Sequence, residues 1–310
     1  MPHKILSFGE ILWDLLPDGP VLGGAPFNLA YRLAELGEHA LIASRVGDDD
    51  LGSSALIAAQ KLGVDTSLVQ SDPDRPTGTV EVKLSGGEPE FRIVSGVAFD
   101  WIELTAGLDD AAAGADCICF GSLSQRAEIS RKTIQTLLYC HLKVLTFCDI
   151  NLRRDCYSAD TVEDSLLRAD IFKLNETEVP EVSAILFDEQ LSPQTFARQV
   201  LEQFNPRTVL VTLGERGVLA VTGNTDPVYV PGYRVQVVDT VGSGDAFSAG
   251  FLHRFLAGDT LAGSCDFGCR LGALVSARKG GTAAVEQQAL ESFGKEEEKI
   301  ADPRFREYGV

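Results

Sequence analysis

Positive charge is scarce in this sequence: 27 Lys and Arg stand against 45 Asp and Glu, a formal net charge of −18 over 310 residues. That surplus repels the nucleic-acid backbone and anionic membrane, so neither is expected as a partner, although a local basic pocket can still hold phosphates. Histidine is rarer still. His3, His39, His141 and His253 share no ligand spacing, which argues against a zinc enzyme. The seven cysteines form an odd set without a C-x-x-C pair and mostly sit in apolar runs, so they read as buried thiols of a reducing compartment. No apolar run reaches membrane-spanning length. The stretch MPHKILSFGEILWDLLPDG meets Glu10 and Asp14 too early for a signal peptide, and a cytoplasmic location is the expectation. A Walker-A loop is absent throughout.

What is present is an ordinary globular composition, 45% apolar and 23% charged, long enough for one large α/β unit or two modest domains. Short β-branched runs alternate with helical stretches: KILSFG, a helix over 25–36, ALIASRVG, a helix over 51–62, DCICFG, a helix over 126–140, KVLTFCDI and a helix over 160–169. The rhythm continues with IFKL, a helix over 194–204, TVLVTLG, and long helices near 244–257 and 260–278. Such alternation predicts a parallel sheet covered on both faces. Residues 76–95 break the pattern with alternating β-branched residues around Gly86-Gly87, a hairpin signal. A hairpin between βα units reads as a lid over the ligand-binding end of the sheet, or else as an antiparallel edge of that sheet. No repeat or linker divides the chain, so one lid-bearing domain over 1–310 is expected. Glu296-Glu297-Glu298 reads as a solvated helix face.

The most informative stretch is DTVGSGDAFSAGF, residues 239–251, where a strand-like run gives way to an apolar helix. The dinucleotide fingerprint fails here at Phe247, and the nucleophile elbow around Ser248 fails at Ala246. Gly242, Ser243 and Gly244 put backbone amides at the positive end of a helix, where an anion is stabilised. Asp245, in the first turn, is either a dipole partner of that helix or a base that takes the proton of an attacking hydroxyl during phosphoryl transfer.

GGAPFNLAYRLAELG (23–37), RVGDDDLG (45–52) and DTVGSGDAFSAGF, with DINLRRD (149–155), KLNETEV (173–179) and VTLGERGVL (211–219) between them, resemble the ribokinase-like, or PfkB, family of sugar kinases. The resemblance spans nearly the whole chain and implies a ribokinase-like three-layer α/β/α, Rossmann-like fold with a small β-sheet lid. It also implies ATP and Mg²⁺, with K⁺ in many relatives, and a homodimer.

Position by position, it gives Asp245 as catalytic base, Gly242, Ser243 and Gly244 as anion hole, and Asp14, Gly24 and Asn28 as readers of sugar hydroxyls. A carboxylate and an amide suit hydroxyls, although Asn28 alone could equally be a helix-start residue. Arg153, in D-x-N-x-R, matches a substrate- or phosphate-facing arginine. Asn175 and Glu178 fit the N-x-x-E element that organises the magnesium hydration shell; a helix N-terminus with Glu in its first turn would look the same. Thr212, Gly214 and Gly217 match the turn bordering the nucleotide, though any tight glycine turn between strands has this pattern. The carbonyls of Asp239 and Val241, with RKGGT (278–282), match a monovalent-cation loop.

GEILWDLLPDG followed by GGAPFN is most like the fructokinase branch, which implies fructose and ATP as substrates and fructose 6-phosphate as product. Trp13 and Phe27 depart from the relatives' pattern and could reshape the sugar pocket. Ribokinase and 2-keto-3-deoxygluconate kinase remain alternatives, and an adenosine-type kinase is disfavoured because no aromatic base pocket is identified. From another class, a sugar- or nucleotide-binding regulator without catalysis also remains.

Overall fold

The computed structural model describes residues 1–16, 19–85, 88–223, 225–294 and 297–308, with backbone only for 82–85 and 88–91. The chain forms two compact units, Met1–Val144 and Leu145–Val310.

In the first unit the strands and helices run β1 (Lys4–Phe8), β2 (Leu12–Leu16), β3 (Gly19–Gly23), α1 (Ala25–Glu35), β4 (His39–Gly47), α2 (Asp50–Lys61), β5 (Val69–Asp72), β6 (Gly78–Ser85), β7 (Glu88–Ile93), α3 (Ala106–Ala113), β8 (Cys117–Phe120) and α4 (Glu128–Cys140). β8, β1, β4 and β5 pair in that order, all parallel. Ile5, Leu6, Ser7 and Phe8 are all buried, and successive side chains of a strand face opposite ways, so both faces of β1 are covered.

The hairpin read at 76–95 exists as β6 and β7, paired antiparallel with Val80 opposite Ile93. Its turn at Gly86-Gly87 lies outside the described residues. The hairpin is not an edge of the parallel sheet. β6 pairs instead with β2, and β2 with β3, giving a separate sheet ordered β3-β2-β6-β7. The β2–β3 half was not expected from the sequence, because LWDLL carries no clean alternation.

The second unit contains β9 (Leu145–Asp149), α5 (Ala159–Leu167), β10 (Ile171–Asn175), α6 (Val179–Phe187), α7 (Pro193–Phe204), β11 (Thr208–Thr212), β12 (Val218–Val221), β13 (Val228–Val230), β14 (Gly232–Tyr233), α8 (Ser243–Leu256), α9 (Leu261–Ser276), α10 (Gln287–Ser292) and β15 (Lys299–Ile300). β9, β10 and β11 are parallel. β12 and β13 add antiparallel, so the expected parallel sheet carries an antiparallel extension in this unit. The reversal follows from the short turn between Thr212 and Val218, which leaves no room for the helical crossover a parallel pair needs.

Glycines set how closely α8 and α9 approach. A β-carbon on Gly268 would lie 2.8 Å from the Phe247 carbonyl oxygen, and one on Gly272 3.0 Å from that of Ser243. Only hydrogen fits at Gly268, so α9 rests directly on the α8 backbone and fixes its first turns.

Glu297 and Glu298 are not on a helix. The Gly294 amide donates to the Glu297 carboxylate at 2.6 Å, and Glu298 pairs with Arg234 at 2.8 Å beside β15. Gly294, at φ +93°, turns the chain away from helical continuation. Glu296 lies outside the described residues.

Candidate active site

The start of α8 gathers the residues read from the sequence. Gly242 caps the helix at φ +75°, and a β-carbon there would lie 2.6 Å from Gly281 Cα, so the position requires glycine on both counts. The first intrahelical bond runs from the Ala246 amide to the Gly242 carbonyl at 2.8 Å. Helix geometry leaves the amides of Gly242 and Gly244 with no carbonyl of α8 to bind, and the helix dipole points its positive end there. Ser243 differs from its two neighbours, since its amide already donates to the Thr240 carbonyl at 3.2 Å. Asp245 is half-buried in this first turn.

Behind α8 stands a charged cluster. Lys173, on β10, donates to Asp149 at the end of β9 over 2.6 Å, and the Ser248 hydroxyl donates to the same carboxylate oxygen at 3.1 Å. Burial works against the charge on Lys173. The attraction of Asp149, Glu178 and Asp245 outweighs it and holds the ammonium above the usual lysine range. Lys173 was missed at sequence level, although a lysine inside the otherwise apolar run IFKL is a signal that could have found it.

Asn175 and Glu178 form a reciprocal turn before α6. The Asn175 amide donates to Glu178 Oε2 at 2.8 Å, and the Glu178 amide donates to Asn175 Oδ1 at 3.0 Å. Glu178 Oε1 also accepts the Leu152 amide at 2.7 Å. This is the capping-box arrangement. Burial raises the Glu178 carboxyl above its usual range, with Asp149 adding to the rise, while the Asn175 amide, Lys173 and the Leu152 amide pull against it. Arg153 is exposed, and its Nη1 donates to Asn151 Oδ1 at 2.7 Å.

Thr212 ends β11, and its carbonyl accepts the Glu176 amide at 2.9 Å. Gly214 (φ +61°) and Gly217 (φ +95°) shape the turn into β12, and a β-carbon on Gly217 would collide with the Val230 carbonyl at 2.0 Å. The glycines of VTLGERG thus have a turn-forming reason as well. Asp239 bridges two loops, its carboxylate accepting the Val241 amide at 3.0 Å and the Gly280 amide at 2.9 Å.

The remaining sequence-read residues belong to the first unit. Asp14 is half-buried on β2, with one carboxylate oxygen 2.9 Å from where a Gly23 β-carbon would sit. Gly24 caps α1 at φ +109° against the Glu10 backbone, and the Glu10 carboxylate accepts the Ala25 amide at 3.2 Å. Asn28 is buried one turn into α1. Phe27 is fully buried in the core, and the Trp13 indole N–H donates to the Leu51 carbonyl at 3.0 Å.

Residues 20–288 match the family described as pfkB family carbohydrate kinase, and the chain belongs to that family. It is thus a carbohydrate kinase with the ribokinase-like fold. Its sequence is 33% identical over 267 residues to a fructokinase of Klebsiella pneumoniae, covering 81% of this chain and 84% of that protein. Among solved structures, an uncharacterized sugar kinase of Pyrococcus horikoshii superimposes with a TM-score of 0.79 at 29% identity, covering 94% of this chain and 97% of that one. A double mutant of the Vibrio cholerae O395 fructokinase, bound to fructose, ADP and a potassium ion, gives a TM-score of 0.81 at 25% identity over 94% and 99%.

Proposed function

We propose that this kinase transfers the γ-phosphoryl group of ATP to D-fructose, giving fructose 6-phosphate and ADP. The observation that carries the reading is the first turn of α8, where Asp245 shares a helix N-terminus with the amides of Gly242 and Gly244. The fructokinase relatives favour fructose as the acceptor.

In this reading Asp14, Gly24 and Asn28 bind sugar hydroxyls, and Arg153 faces the phosphates or the sugar. Asp245 accepts the proton of the attacking hydroxyl as its oxygen bonds to the γ-phosphorus. The bond from that phosphorus to the bridging oxygen breaks, and its electron pair leaves with ADP. The amides of Gly242 and Gly244, with Ser243 shaping the loop, hold the charge on the transferring group. Asn175, Thr212, Gly214 and Gly217 border the nucleotide.

Magnesium would accompany ATP and neutralise phosphate charge. It keeps several waters and needs few protein ligands, which fits Glu178: both its oxygens already accept amides, so a remaining lone pair would hold a metal-bound water. Among the described residues no group of three or more His, Cys, Asp or Glu side chains could hold an ion directly. The loop that Asp239 ties together is our choice for a potassium site, through the carbonyls of Asp239 and Val241.

We read residues 1–310 as one kinase domain, since the family match runs across the boundary between the two units, with the sheet β3-β2-β6-β7 as its lid. Among the described residues that sheet has β3 and β7 as its unpaired edges, which favours pairing between two copies in a homodimer. A cytoplasmic location suits these substrates, and no helix among the described residues is long and apolar enough to cross a membrane.

The test is ADP release with ATP and Mg²⁺ on fructose, ribose, 2-keto-3-deoxygluconate, glucose and adenosine, with Asp245→Asn as control. Turnover on fructose that falls by about two orders of magnitude or more in the control, with sugar binding kept, is expected. Preference for ribose or 2-keto-3-deoxygluconate would replace the substrate. Silence on all five with sugar binding intact would make the protein a regulator.

A further inference from the structure

Strand β10 reads IFKLN, and its first four residues are buried, with a lysine among them. Lys173 is only 5% exposed. A buried ion pair is often no more stabilising than well-packed apolar side chains of similar volume, so stability alone is a weak reason for the lysine.

Its surroundings give a stronger one. Lys173 and Asp149 are lateral neighbours in the register of β10 and β9, and their side chains join at 2.6 Å. A β-carbon on Gly244 would lie 3.5 Å from the Lys173 Nζ, which puts the ammonium against the first turn of α8. Asp149 contacts the same helix one turn further on, through the Ser248 hydroxyl at 3.1 Å, and that hydroxyl also donates to the Gly244 carbonyl. The ion pair therefore lies along α8 with its positive end at Gly244 and its negative end at Ser248. That is the sense of the helix dipole itself.

We propose that Lys173 is the positioning residue of phosphoryl transfer: pinned by Asp149, its ammonium fixes the first turn of α8 and keeps a positive charge behind the amides of Gly242 and Gly244. The inference rests on the reading of Asp245 as base and of those amides as anion hole. Charge on a transferring phosphoryl group is stabilised most by groups already oriented in a water-poor site, where the effective dielectric is low. The charged groups facing Lys173 are Asp149 from β9, Glu178 from the turn before α6 and Asp245 from α8. All three are acidic and keep the lysine charged, so its own titration stays outside the working pH range. Asp245 in turn faces a permanent cation, which favours its ionised, proton-accepting form.

The test compares Lys173→Met with the double variant Lys173→Met/Asp149→Asn in the full chain, the second avoiding a buried, unpaired carboxylate. Steady-state kinetics use the sugar that the substrate panel identifies, and urea denaturation checks folding. The expected result in the folded variants is a fall in kcat of about a hundredfold with the sugar KM within about threefold. The acidic limb of the kcat/KM profile should also move to higher pH in Lys173→Met, because Asp245 loses its neighbouring cation.

Wild-type kcat and an unmoved limb in Lys173→Met, or full recovery of kcat in the double variant, would overturn the proposal, since the lysine would then merely neutralise Asp149. Failure of both variants to fold would also overturn it, by making the role structural. The underlying reading fails separately, when the unsubstituted protein turns over no sugar or Asp245→Asn turns over normally.

Discussion

Glu178 grips the turn before α6 from both sides: its two carboxylate oxygens accept the amides of Leu152 and Asn175 at 2.7 and 2.8 Å. A glutamine offers one acceptor in place of two, so Glu178→Gln leaves one buried amide facing an NH₂ group. The expected cost is about 1–3 kcal/mol in urea denaturation, with a higher Mg²⁺ requirement in any turnover that remains. The pH dependence has a definite sign. Because burial raises this carboxyl above its usual range, its share of stability is present at low pH and is lost as pH rises through its folded pKa. That slope should vanish in the variant, and denaturation at stepped pH from 4 to 8 measures it.

Asp302 gives the opposite sign. Hydrogen bonds from Arg304, against the cost of burial and helped by the charges of Arg304 and Arg216, hold its carboxyl at about 2. Its stabilisation is full above the ordinary aspartate range and disappears as pH falls from about 4 toward 2. Asp302→Asn should cost about 2 kcal/mol at pH 7 and nothing further on acidification, read from denaturation midpoints at pH 7, 5 and 3.

Two positive-φ glycines separate strain from collision. Gly242 (φ +75°) would bring a β-carbon within 2.6 Å of Gly281 Cα, while Gly258 (φ +83°), just past the other end of α8, meets nothing within 4 Å. Gly258→Ala should lose about 1 kcal/mol and keep its kinetics. Gly242→Ala must move the loop as well, and a fall in kcat of about tenfold or more is expected. Equal kinetics in both variants would separate the Gly242 loop from turnover.

Arg153 is exposed and bonded to Asn151, so Arg153→Ala should change stability by less than about 0.5 kcal/mol. If its guanidinium faces phosphate or sugar, the KM of one substrate rises about tenfold at nearly unchanged kcat. Separate titrations of sugar and ATP tell which.

The lid reading concerns β6 and its neighbour β2. Amide exchange across Gly78–Ser85 should slow when sugar and nucleotide are added together, and light scattering should return the mass of two chains. Unchanged exchange, or the mass of one chain, would remove the lid or the dimer respectively.

Much of this was legible locally. The helices read over 25–36, 51–62, 194–204 and 244–257 appear as Ala25–Glu35, Asp50–Lys61, Pro193–Phe204 and Ser243–Leu256. Apolar periodicity and end signals such as Ser192 before Pro193 act within a few residues, so they survive in sequence. The eight-residue helix α3 escaped because it gives barely two turns of periodicity, and α6 because its run VSAILF is almost wholly apolar and marks no polar face.

The sequence by itself determined the main alternation of strands and long helices, the glycine turn that opens α8 and the acidic residue one step inside it, because each depends on neighbours in the chain. Only the tertiary structure decided that β2 and β3 complete the sheet of β6 and β7, since strand partners are chosen by distant backbone edges. It also decided that Lys173 meets Asp149 beneath Gly244, and that Asp302 meets Arg216. The charge state of such groups follows from burial and from partners far away in sequence, and no local pattern records either.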